Sequence, residues 1–356
     1  MAGDKKQYGV GIVGLDHWYA GIGAADSLKD STRAKLVAVA HRDEEKVREF
    51  AAERGIPTAT TDYAAIVPRG DVDVVVTACT TAENVDLCID AARRGKHIVS
   101  VKPFAMSLAD ADRLAAAIQE AGVLFYSFDA IYRLSPQGRL YKRWIGEGRI
   151  GTPISATVIQ RASLSGASMD WPGRRNDHSW WRDPRKVPGG GWIDHAIYQV
   201  DFLRWLLNDE VARVTGMAKT LSHPELPKEL EDFGVGLFEF RKGAVATIEV
   251  TWTAPAGGGL SQTQIVGTDG QIVFDPTLSG KLAVSGKFDG PLGSGASGWT
   301  MVSPPGRRGG GGPVEHLLES LESGQPLAAT LDDSRATLAA CLAFYEAARS
   351  GQTVSL

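Results

Sequence analysis

A repeated alternation of continuous apolar strands with amphipathic helices constrains this chain more than any other feature. Gly9 to Val13, Ala34 to Ala40, Val72 to Thr77 and His97 to Val101 read as strands. Ala20 to Leu28, Glu44 to Arg54 and Asn84 to Arg94 read as the helices between them. Val/Ile runs without polar alternation are buried on both faces, so the pattern predicts a doubly wound parallel sheet. A helix from Ser107 to Ala121 and a strand at Leu124 to Phe128 complete it.

Beyond about residue 150 the rhythm changes to longer alternating strands: Thr152 to Arg161, Val211 to Thr220, Gly234 to Phe240, Ala244 to Thr253, Gln264 to Gly267 and Gln271 to Asp275. They predict a large, mostly antiparallel open sheet, interrupted by a helix at Ile193 to Leu207. A final helix spans Asp332 to Ser350. The expected organisation is a nucleotide-binding domain over residues 1–125 and a substrate-binding, oligomerising domain over 126–356, its last helix able to pack back on the first. Gly257-Gly258-Gly259 and the stretch from Pro304 to Pro313 read as loops. The 356 residues suffice for two cores, and a net charge of −4 offers nucleic acid or anionic lipid no electrostatic footprint. No apolar run reaches a membrane span, and Cys79, Cys88 and Cys341 lack disulfide or metal spacing, so a cytoplasmic location is expected. The scattered histidines predict no metal site.

A literal G-x-G-x-x-G at Gly9, Gly11 and Gly14 is a decoy, because the first two glycines fall inside the strand. The phosphate loop starts at Gly14 and runs Gly14, Leu15, Asp16, His17, Trp18, Tyr19, with Asp16 and Tyr19 at the later glycine positions. After the second strand the ribose-binding acid is replaced by His41 and Arg42. Arginine suits a 2′-phosphate, so NADP(H) is favoured and NAD(H) is the alternative; a solvated turn would leave Arg42 paired with a neighbouring acid.

The stretch Gly95-Lys96-His97-Ile98-Val99-Ser100-Val101-Lys102-Pro103 resembles the G-K-H-V-x-x-E-K-P motif of the Gfo/Idh/MocA oxidoreductases, with Val101 for the usual Glu. Asp71 to Val76, Glu147 to Gly151, Val266 to Gly270 and Ala347 to Val354 extend the resemblance over nearly the whole chain. It implies a Rossmann domain followed by an α/β domain on a large open sheet, a homodimer or homotetramer, and hydride exchange with a hydroxyl carbon of a sugar, cyclitol or related polyol. The implied catalytic helix begins at Gly189-Gly190-Gly191 and carries Asp194, His195, Tyr198 and Asp201. Tyr198 stands where most members have His, a variant found within the family. Thr80, Asn84, Lys102 and Pro103 join the cofactor set, Asn84 replacing another usual His.

At about 100° per residue Asp194, Tyr198, Asp201 and Trp205 form one stripe, at roughly 0°, 40°, −20° and 20°. Ile193, Ile197, Val200, Leu203 and Leu207 form the sector that should bury on the sheet. Free tyrosine ionises near pH 10, and a nearby ammonium favours the phenolate, so Lys102 and Tyr198 are the expected proton-transfer pair. Lys102 itself is the alternative proton carrier. Asp194 would hold a neighbouring hydroxyl, and His195 would line the pocket. Trp171, Trp180, Trp181 and Trp192, with His178 and Arg182, concentrate aromatic and polar groups just before this helix. They suit either a sugar-facing wall or packing and subunit contact. Asp129 and the Tyr132-Arg133 pair are further pocket candidates. The leading expectation is thus a sugar or polyol dehydrogenase or reductase. The alternatives are a glycoside-cleaving enzyme that oxidises its substrate transiently and a non-catalytic sensor of sugar or cofactor.

Overall fold

The computed structural model describes residues 7–164, 178–255, 257–275, 281–288, 298–305 and 312–356. They divide between two compact units, one of Met1–Leu134, Trp171–Pro188 and Gly310–Arg335, the other of Ser135–Asp170, Gly189–Gly309 and Ala336–Leu356.

The first unit contains a six-stranded parallel sheet of β1 (Tyr8–Val13), β2 (Ala34–Ala40), β3 (Thr58–Thr60), β4 (Val74–Thr77), β5 (His97–Ser100) and β6 (Phe125–Ser127). Their spatial order is β3-β2-β1-β4-β5-β6, the doubly wound order whose direction reverses between β1 and β4. Helices α1 (Trp18–Leu28), α2 (Glu44–Arg54), α3 (Thr81–Arg93) and α4 (Leu108–Ala121) connect the strands. Their ends follow local chemistry. Asp43 caps α2 by accepting from the Lys46 amide at 3.0 Å, and Ser107 caps α4 from the Asp110 amide at 3.1 Å. Gly55 and Gly122 end the two helices in the left-handed conformation. Val10, Ile12, Val39, Val74, Val76 and Val99 have no exposed surface, as strands covered on both faces require. The short helix α5 (Ile131–Leu134) closes the unit's first segment.

In the second unit α6 (Pro136–Gly146) precedes a nine-stranded sheet, and α7 (Gly191–Leu207) packs on it. The strands are β7 (Pro153–Arg161), β8 (Val211–Lys219), β9 (Phe233–Phe240), β10 (Val245–Thr251), β11 (Leu260–Gly267), β12 (Gln271–Phe274), β13 (Leu282–Ser285), β14 (Trp299–Val302) and β15 (Val354–Ser355). Only the β7 and β10 pair is parallel among the described pairings. Ile193, Ile197, Val200 and Leu203 of α7 are buried on β10, β9 and β7, while Met217, Leu237 and Val245 stand exposed on one face of β8, β9 and β10. Two further helices complete the chain, α8 (Pro313–Ser323) in the first unit and α9 (Leu331–Ser350), divided between the units after Arg335. No described helix is long and apolar enough to cross a membrane.

Candidate active site

In the first unit the glycine loop leaves β1 at Gly14, whose φ of 84° is unfavourable for other residues. A Cβ there would also lie 2.6 Å from the Cys79 backbone. Gly9 and Gly11 lie inside β1, where Cβ atoms would strike Asp71 and Ile66. Their glycine character serves close packing beneath the strand. Leu15 is buried, His17 precedes the first turn of α1 without capping it through its side chain, and Trp18 opens the helix. A helix start without a side-chain cap suits an anion such as a pyrophosphate.

Arg42 was expected to be available to a 2′-phosphate. Its guanidinium instead donates to Asp16 Oδ2 at 3.2 Å and Glu83 Oε2 at 2.8 Å, and the Tyr63 hydroxyl donates to the same Asp16 oxygen at 3.3 Å. Asp16 is buried, which pushes its carboxyl up while Arg42 pulls it down. Burial lowers the pKa of His41, against the opposing pull of Asp16. Glu83 also accepts from the Thr80 hydroxyl at 2.6 Å, tying the start of α3 to the same cluster. One guanidinium therefore faces two carboxylates, a set better matched to a neutral ribose diol than to a phosphate dianion.

Asn84 was expected to contact the cofactor. It is fully buried, donating to Ser100 Oγ at 2.8 Å and to the Phe104 carbonyl at 2.7 Å, with the Thr77 hydroxyl donating to its Oδ1 at 2.5 Å. The amide thus braces the turn that holds Lys102 and Pro103, which are joined by a cis peptide bond. Lys102 is 1% exposed. Its ammonium lies 5.2 Å from the centre of the Trp181 ring and 5.9 Å from that of Tyr19, within range of attraction to both π faces. The His17 ring lies 4.5 Å from Trp180 and 5.7 Å from Trp181, and its Nδ1 is 3.1 Å from the Tyr19 hydroxyl. A buried cation thus stands in an aromatic frame just beyond β5, at the carboxyl edge of the parallel sheet where open α/β folds bind ligands.

In the second unit the glycine triplet is explained by close approach. Cβ atoms would lie 2.1 Å from the Tyr345 hydroxyl at Gly189, 2.3 Å from the Glu231 carbonyl at Gly190 and 2.9 Å from the Trp252 ring at Gly191. One turn into α7, Asp194 Oδ2 accepts from the Trp252 indole at 3.1 Å and lies 3.0 Å from His195 Nδ1. Asp194 and Tyr198 are almost buried, whereas the His195 side chain is 30% exposed; the His195 and Tyr198 rings are 6.0 Å apart. Asp194, His195 and Tyr198 therefore form one local group. Asp201, on the same helix, accepts from the Thr337 hydroxyl at 3.5 Å.

The tryptophan-rich segment divides. Trp180 and Trp181 are buried in the aromatic frame, Arg182 is exposed, and Trp192 belongs to the second unit's core. Trp171 and the His178 side chain lie outside the described residues, as does most of the second glycine-rich stretch. Asp129 is fully buried in a single 3-10 turn, and Arg133 is committed to the Ala328 carbonyl at 3.0 Å and Asp333 at 3.2 Å. Sequence reasoning missed Tyr63, Glu83, Trp252, Glu231 and Tyr345. Only the awkward carboxylate of Asp16 in a phosphate loop signalled that a basic partner was needed. Among the described residues no group of three or more His, Cys, Asp or Glu is placed to hold a metal ion.

A Rossmann unit with an uncapped helix after its glycine turn, together with a second unit that clusters Asp, His and Tyr on one helix, defines a class of two-part oxidoreductase. Comparison with known proteins makes the class specific. Residues 8–128 match the oxidoreductase family with an NAD-binding Rossmann fold, and residues 139–273 match the GFO/IDH/MocA C-terminal domain. The 1,5-anhydro-D-fructose reductase of Ensifer adhaerens is 30% identical over 246 residues, 68% of this chain and 69% of that protein. The scyllo-inositol 2-dehydrogenase (NAD(+)) of Bacillus subtilis is 29% identical over 240 residues, 67% of this chain and 66% of that protein. These alignments span about two thirds of each relative. A levoglucosan dehydrogenase solved in complex with NADH shares the fold, with a TM-score of 0.81 at 22% identity over 98% of this chain and 99% of that one. The chain belongs to the GFO/IDH/MocA family of oxidoreductases.

Proposed function

We propose that this oxidoreductase exchanges a hydride between NAD(H) and a hydroxyl-bearing carbon of a sugar, cyclitol or related polyol. The observation that carries this reading is Lys102, a buried ammonium framed by Tyr19 and Trp181 at the ligand-binding edge of the parallel sheet. A bound nicotinamide supplies the hydride acceptor in oxidation or the donor in reduction. Tyr198 exchanges the hydroxyl proton, and Lys102 supports the negative charge developing on the reacting oxygen. Asp194, held by Trp252, accepts a hydrogen bond from a neighbouring substrate hydroxyl and fixes which carbon reacts. Relatives bearing names of sugar and inositol enzymes support this substrate class.

The cofactor preference follows from the Arg42 cluster. A ribose diol can donate to Asp16 or Glu83, whereas a 2′-phosphate would face both carboxylates before reaching the guanidinium. Titration followed by tryptophan fluorescence should show NAD+ bound at least tenfold more tightly than NADP+. Glu83→Gln should narrow the gap by releasing Arg42. Tighter NADP+ binding by the wild-type chain would restore the 2′-phosphate role expected for Arg42 from sequence.

A further inference from the structure

We propose that Glu231 is a positioning residue for α7, fixing the helix start so that Asp194, His195 and Tyr198 keep their places. The inference rests on reading α7 as the substrate-facing helix. A helix begins with four amides that lack partners within it, and Gly190 has no side chain to cap them. Glu231 and Tyr345 satisfy four consecutive ones. Glu231 Oε2 accepts from the Gly190 amide at 3.1 Å, its carbonyl from Gly191 at 2.7 Å and its Oε1 from Trp192 at 2.9 Å. The Tyr345 hydroxyl accepts from the Ile193 amide at 3.3 Å and donates to Glu231 Oε1 at 2.8 Å.

The same short segment reaches Asp194 by a second route. The Asp232 carbonyl accepts from the Trp252 amide at 2.7 Å, and the Trp252 indole donates to Asp194. Glu231 thus sets the helix origin while its sequence neighbour sets the partner that orients the carboxylate. Among the described residues no basic side chain forms an ion pair with Glu231, so the helix amides and the tyrosine carry the burden of solvating a carboxyl that is 5% exposed. Burial pushes that carboxyl up to about 7 against the lowering effect of these bonds. Ionised, the carboxylate is acceptor-only and its two oxygens can receive all three side-chain bonds; a glutamine has one such oxygen and cannot. The triplet glycines are the counterpart, because a Cβ at Gly190 would displace Glu231 from the helix start.

The test uses the full chain with Glu231→Ala, Glu231→Gln and Tyr345→Phe. Hydrogen exchange read by mass spectrometry should show faster exchange, by tenfold or more, confined to residues 189–198 in Glu231→Ala. Exchange in β1, β4 and β5 and the affinity for NAD+ should stay within twofold of wild type. Turnover, followed by nicotinamide absorbance with scyllo-inositol, myo-inositol and 1,5-anhydroglucitol, should lose at least tenfold in kcat with a smaller change in KM. Glu231→Gln should recover part of that loss. Tyr345→Phe, which removes one bond and leaves the carboxyl in place, should accelerate exchange at the same segment more mildly. The exchange measurement needs no substrate, so its outcome is separable from that of the proposed reaction. Wild-type exchange at 189–198 in Glu231→Ala would overturn the proposal, as would accelerated exchange with kcat unchanged.

Discussion

Replacing Tyr198 by phenylalanine should lower kcat by roughly 10²- to 10⁴-fold, the usual contribution of a positioned proton-transfer group. Affinity for NAD+ should remain unchanged. The substitution removes one oxygen and keeps the ring, which is almost buried beside His195, so the packing of α7 is preserved. The glycine loop and the Arg42 cluster belong to one compact unit and Tyr198 to the other. Lys102→Met supplies the companion measurement. If Lys102 and Tyr198 act as one unit, the double variant should be hardly slower than the poorer single variant. Turnover retained by Tyr198→Phe would remove Tyr198 from the chemistry and leave Lys102 as the proton carrier.

The largest effect on stability is expected at Trp192, immediately after the glycine triplet. Its indole has no exposed surface, stacks 3.6 Å from the Phe344 ring and 6.1 Å from Phe238, and donates to the Ile248 carbonyl at 3.3 Å. Gly234 on β9 has no side chain where the indole sits; a Cβ there would approach it to 2.5 Å. Trp192→Ala should therefore cost about 3–5 kcal/mol, combining lost burial with a cavity that surrounding rings cannot fill. Against a typical stability of roughly 5–15 kcal/mol this is a large fraction, and the melting transition should fall by about 10 °C in calorimetry. An unchanged transition would show that the ring is not part of the unit's core.

The parallel sheet was legible because both its faces are covered. Runs such as Val74 to Val76 have one physical explanation, and the matching cap residues are local. Strands of three or four residues were missed where the pattern is too short to distinguish from a turn. Thr58–Thr60 is an example, as are the strands at Leu282–Ser285 and Trp299–Val302. The helix at Pro136–Gly146 had readable signals, Ser135 capping the Gly138 amide at 2.9 Å and proline in its first turn, yet it stands at a change of pattern between units.

Motif spacing singled out Lys102, Asp194 and Tyr198 as candidates but could not show which distant side chains surround them. Trp252 and Glu231 are 58 and 41 positions from the residues they bond, Asp194 and Gly190. No local periodicity encodes such pairings. Trp192 lies in a dense tryptophan segment that suits either a sugar-facing wall or packing, and its stacking on Phe344 makes it core. Arg42 is the subtlest case. Its residue type matched phosphate, but its guanidinium donates to two carboxylates distant in sequence, Asp16 and Glu83.

Net hydride transfer is measured by incubating the full chain with NAD+ and a panel of cyclitols, anhydrosugars and glycosides. Nicotinamide absorbance and sugar products are followed together. Reduced nicotinamide should appear in equal amount to an oxidised sugar or cyclitol, and Tyr198→Phe should suppress both. Glycoside cleavage without net reduction would contradict this account in favour of transient oxidation and elimination, and failure to bind either nucleotide would contradict a catalytic role altogether.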